Sequence, residues 1–208
     1  MPIPIEALLS FLGVSSLVVL SPGPDTMLIL RYSFGSGHAV GLAAVAGVQL
    51  GLVVHTLSVV FGLSLLVAAS PAALRAIAVA GAFYLAWLGV QGLRQADPLG
   101  VGAGSVSSKV KAARDGILTN LLNPKVILLF VALLPQFVSP AHGPVAVQLA
   151  ILGAIIIVLS AVWQTALALG AERARQLIAR PSVQRLVNRT TAAVFLGFAV
   201  LMLYEHAF

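Results

Sequence analysis

Two side chains of opposite charge, Asp25 and Lys125, stand well inside long apolar segments, and each follows a proline: Pro24 and Pro124. A lone charge at membrane depth is costly, whereas two of opposite sign offset one another where they meet. The chemistry this suggests is recognition of a zwitterion. Asp25 would take an α-ammonium group, and Lys125, with the N-termini of broken helices, would take an α-carboxylate. The plainer readings are that Asp25 caps the helix beginning at Pro24 and that Lys125 snorkels to an interface. Asn120 and Asn123 can hydrogen-bond a substrate or the carbonyls that Pro124 leaves free. His55 titrates near neutral pH, which would suit proton coupling; satisfaction by a helix neighbour is the alternative. Gln49 is a weaker candidate for the same site, and Gln164 is another.

The elements that position these groups are transmembrane helices. The 208 residues are 60% hydrophobic and only 9% charged, against roughly 25% charged in soluble domains, and the mean hydropathy is +1.05. The apolar runs are continuous rather than alternating, which predicts an all-α integral membrane protein and argues against a barrel. Six spans are expected, at 5–30, 40–68, 72–93, 116–137, 145–170 and 189–206. Ser21, Pro22, Gly23 and Pro24 in the first and Pro124 in the fourth forbid a continuous helix, so spans 1 and 4 are expected to be broken. Irregular backbone at that depth is tolerated only where protein buries it or it lines a cavity. Glu6, and the lack of a basic leader or cleavage site before the proline motif, argue against a cleaved signal peptide.

A linker at 95–115 separates 1–94 from 116–208 and leaves three spans on each side. An odd number per half puts the halves in opposite orientations, so a 3+3 repeat would be inverted. A shift of 100 residues lays Pro24 on Pro124 and Asp25 on Lys125. Lys and Arg crowd one side: Arg31, four residues in the 3–4 connection and five in the 5–6 connection, against Arg75 alone on the other. This bias places both termini outside the cell and sets the basic residues at anionic lipid, not at nucleic acid. Residues 172–189, Arg-rich with interspersed Leu and Ile, read as a surface segment at the inner leaflet. Ala43, Gly47 and Gly51 form a small-residue seam, read first as packing within the chain, with a homodimer face as the alternative. There is no cysteine, and no phosphate-cradling loop, metal-ligand spacing or nucleophile motif. No cofactor, metal or enzymatic activity is expected.

Three motifs carry a resemblance: Ser21-Pro22-Gly23-Pro24, the stretch Gly81 to Gly89 (GAFYLAWLG), and Gly116 to Lys125 (GILTNLLNPK). With the length and the six apolar segments, they resemble the LysE/RhtB amino-acid exporter family, and the homoserine/threonine/leucine branch more than the lysine/arginine branch. Ser21 stands where many members have Asn. The resemblance implies a bacterial inner-membrane protein that exports amino acids or close derivatives by proton antiport. A single acid well inside the spans suits a small neutral substrate such as threonine, homoserine or its lactone, or leucine. The rival readings are an exporter or channel for another small solute and a membrane assembly factor that transports nothing.

Overall fold

The computed structural model describes residues 2–63 and 107–171, with scattered positions at 79–90 and 182–204. Most of expected spans 3 and 6, linker residues 95–106 and much of the Arg-rich stretch at 172–189 lie outside the described residues. Every regular element among those described is helical.

Helix α1, Ile5–Leu20, is apolar along its length and stops where Ser21 turns extended ahead of Pro22. Helix α2, Pro24–Ser36, opens on proline, whose fixed φ suits a first helical residue and whose missing N–H is not needed there. Asp25 lies in its first turn, favourably placed for the helix dipole. The axes of α1 and α2 differ by 49°. Gly37, at φ 83°, supplies the left-handed turn that ends α2 and starts α3 at His38. Helix α3, His38–Ser58, runs on into a π-helical turn at Val59–Leu63.

Helix α4, Lys109–Leu121, begins earlier than the expected start at 116 because Ser108 caps it, its Oγ accepting from Lys111 N at 3.2 Å. Helix α5, Pro124–Leu128, follows after Leu122 and Asn123 and continues through a π turn, Leu129–Leu133, into a 3₁₀ turn, Leu134–Phe137. This second pair bends by 52°. Helix α6 spans Val145–Leu169. Its fully buried Gln148 ties down the preceding loop by donating to Ser139 O (2.8 Å) and Gly143 O (3.0 Å) and accepting from Ser139 N (3.0 Å). Among the described residues, 38–62 and 145–169 are long and apolar enough to cross a membrane, and four spans result if each bent pair counts as one.

Helices α3 and α4 pack backbone to backbone. A Cβ on Gly47 would run into the main chain of Ala113, and one on Gly116 into that of Ala44. Part of the small-residue seam is therefore used inside the chain, the close approach that lipid-embedded helices rely on. A second layer joins α1, the π turn after α5 and α6 through Phe11, Phe130, Leu149 and Ile156, with Phe11 edge-on to Phe137 at 5.1 Å. Val158, Val162 and Leu169 on α6 point outward, as a lipid-facing surface requires.

Candidate functional site

The break between α1 and α2 faces the start of α5, and Lys125 bridges them. Its ammonium donates to Ser21 O (2.8 Å), Val18 O (3.0 Å) and Ser21 Oγ (3.1 Å). An ammonium has three hydrogens, and all three are engaged here. Val18 and Ser21 lie at the end of α1, where carbonyls lose their intrahelical donors because Pro22 and Pro24 bring none. The lysine therefore caps a broken helix from the other half of the chain. Ser21 Oγ also donates to Val18 O at 2.8 Å. Gly23 leaves room for the lysine stem, since a Cβ there would sit 3.3 Å from Nζ.

Asp25 is buried, and the structure holds it by one oxygen only. Oδ2 accepts from Asn120 Nδ2 at 2.8 Å, whereas Oδ1 is buried with no hydrogen-bond partner. Among the described residues Asp25 and Lys125 form no ion pair; the one such pair joins Arg114 and Asp115, at 3.4 Å. Asn123 caps α5, its Oδ1 accepting from Lys125 N at 3.1 Å, while its buried Nδ2 has no partner. Asn120 is wholly buried against Gly51, where a Cβ would lie 2.5 Å from Asn120 Oδ1. Gly51 thus allows α3 close enough to α4 to set the Asn120 amide on Asp25.

A cavity of about 30 Å³ sits at this junction. Asp25 and Thr26 line it from α2, Lys125 and Leu129 from the α5 side, and Ser160 and Gln164 from α6. That volume is about that of one water molecule and too small for an amino acid. Asn120, His55 and Gln49 stand behind the lining. His55 Nε2 lies 3.3 Å from Asn120 O, with its ring stacked on Phe130 at 5.5 Å, so it reaches Asp25 only through Asn120. Gln49 Nε2 donates to Gln164 Oε1 at 2.9 Å.

The sequence-predicted residues fall into two groups. Asp25, Asn123 and Lys125 reach the cavity, and of the helix break at Ser21 to Pro24 only Gly23 lines it. Asn120, His55 and Gln49 support it from behind. Thr26, Ser160 and Gln164 line the cavity as well, although the sequence offered only Gln164 as a candidate. The available signal was the spacing of Ile156, Ser160 and Gln164, four residues apart and hence on one face of α6. Among the described residues no group of three or more His, Cys, Asp or Glu side chains gathers as a metal ion would require.

The described helices, apolar enough in part to cross a membrane, thus surround a buried carboxylate with one unpaired oxygen at a break in the backbone. The profile of the LysE type translocator family matches residues 16–206, and the chain belongs to that family. It is 33% identical to the homoserine/homoserine lactone efflux protein of Salmonella typhimurium over 194 residues, covering 93% of this chain and 94% of the relative. It is 29% identical to the leucine efflux protein of Klebsiella pneumoniae, covering 92% of each. An uncharacterized membrane protein of Bacillus subtilis is 28% identical across 94% of this chain and 97% of its own. No solved structure matches the chain significantly.

Proposed function

We propose that this chain is a secondary exporter of small neutral amino acids in a bacterial inner membrane, driven by proton antiport. The observation that carries the reading is the Asp25 carboxylate, with one oxygen held by Asn120 and the other buried, unpartnered, beside a small cavity. A carboxylate so placed gains most from a guest that brings both charge and hydrogens, which an α-ammonium does. A proton on Asp25 competes with that ammonium for the same oxygen, so uptake of a proton from outside releases the substrate there.

The repertoire is homoserine or its lactone, threonine and leucine. Relatives named for homoserine, homoserine lactone and leucine efflux support this range. In the proposed architecture, residues 1–94 and 116–208 form inverted three-span repeats joined by the linker at 95–115, with both termini outside. The similar bends of the two helix pairs, 49° and 52°, support it. Access would alternate by rocking of the halves about the break, with Lys125 exchanging α1 carbonyls for the substrate carboxylate or, in the lactone, the ester carbonyl.

The test is efflux of labelled homoserine, threonine and leucine from proteoliposomes, with and without an imposed pH gradient. Gradient-stimulated flux of at least one is expected. No flux of any from verified folded protein would reject the reading.

A further inference from the structure

We infer that Ser160 and Gln164 on α6 read the substrate's side chain, and that Gln49 on α3 is the residue that positions Gln164 to do so. The inference rests on the exporter reading and narrows its substrate class to amino acids whose short side chain carries a hydrogen-bond-accepting oxygen.

Asp25 and Lys125 account for the groups common to all amino acids. The rest of the cavity must then distinguish one side chain from another. Its α6 wall is a single stripe, Ile156, Ser160 and Gln164, and all three are buried. Ile156 supplies an apolar end, reinforced by Leu52 and Leu129. Ser160 and Gln164 supply a polar one. Gln164 Oε1 is already taken by Gln49 Nε2 at 2.9 Å, which leaves the Gln164 NH₂ as the part of the amide available to a guest. Neither that NH₂ nor Ser160 Oγ has a hydrogen-bond partner among the described residues.

These donors lie on the cavity wall, within reach of water, and a guest that displaces the water without offering an acceptor leaves them unpaired, which is costly. A substrate oxygen that accepts from them removes that cost, and a methyl group in the same place does not. A pocket built to hydrogen-bond a substrate group discriminates far more strongly against the analogue lacking it than an apolar pocket discriminates by size. Gln49 occupies the carbonyl of the amide and so leaves its NH₂ toward the guest. Without it, Gln164 is free to turn its carbonyl into the cavity, where it repels an acceptor.

Homoserine and norvaline differ only by a hydroxyl in place of a methyl, so they are the probe pair. Counterflow in proteoliposomes gives kcat/KM for each. Wild type is expected to favour homoserine, and Gln164→Leu to lower the homoserine-to-norvaline ratio by about tenfold or more. Ser160→Ala should lower it less, and keeps the test intact if Gln164→Leu does not fold. Gln49→Leu should also lower it, through KM for homoserine. The double variant Gln49→Leu/Gln164→Leu should fall no further than Gln164→Leu alone, the non-additivity of a residue acting through another. A ratio unchanged in Gln164→Leu and in Ser160→Ala while both amino acids are still carried would overturn the inference and leave the exporter reading standing. A double variant with fully additive loss would remove Gln49 from it. If wild type carries neither amino acid, nor threonine or leucine, the exporter reading fails and the inference with it.

Discussion

Replacing Lys125 by Met keeps most of the unbranched apolar stem and removes the ammonium. Ser21 O and the Ser21 hydroxyl then lose their donor at the end of α1, and Val18 O keeps only the Ser21 hydroxyl. Hydrogen bonds to a charged group contribute about 1.5–3 kcal/mol each, and they are not additive. The cavity at this junction lets water replace some of what is lost. A local loss of about 2–4 kcal/mol follows, smaller than three independent bonds would give. Because Pro22 and Pro24 have no amide hydrogens, the reporters are Ser21 N, which donates to Leu17 O, and Met27 N, which donates to Gly23 O. Hydrogen exchange on detergent-solubilised protein should find these amides exchanging about 30-fold faster or more, since each 1.4 kcal/mol is a factor of ten, while amides at the centre of α6 stay unchanged. Equal exchange in the variant would refute the assignment of Lys125 as the group that holds the break together.

The other predictions concern packing around the same site. Gly51→Ala places a methyl 2.5 Å from Asn120 Oδ1; it should cost about 1–3 kcal/mol in denaturant titration and lower transport by shifting the amide off Asp25. Gln148→Leu strands the N–H and carbonyl of Ser139 and the carbonyl of Gly143, and a loss of about 2–4 kcal/mol should appear as a lower melting temperature in detergent. Tyr32→Phe removes the 2.6 Å hydrogen bond from the Tyr32 hydroxyl to Asp115 that ties α2 to α4, at about 0.5–1.5 kcal/mol, and a probe cysteine at Ser33 should label faster.

The parts of this fold that were legible in the sequence are those governed by local chemistry. Pro22 and Pro24 forbid a continuous helix wherever they stand, so the end of α1 at Leu20 followed from residue types alone. The α6 boundaries followed equally from an unbroken apolar run after Pro144. What could not be read was which distant groups meet. The hundred-residue offset that lays Asp25 on Lys125 suggests that they face one another, yet Asn120 is the group bonded to Asp25, while the long lysine stem reaches back to the end of α1. Both placements depend on how closely α3, α4 and α1 approach, which Gly51, Gly116 and Gly23 decide jointly. Gln49 and Gln164 each look like an isolated polar residue in an apolar span; their hydrogen bond joins positions 115 residues apart and leaves no local trace.

The central claim is that Asp25 is where substrate and proton compete. It is tested most directly by comparing wild type with Asp25→Asn in proteoliposomes for homoserine efflux with and without a pH gradient, after size-exclusion profiles show both folded. Asn120 can bond an amide oxygen as it does the carboxylate, so folding should survive the exchange. The account predicts that the gradient accelerates efflux in the wild type and has no effect in the variant. Undiminished gradient-driven efflux by Asp25→Asn would contradict it.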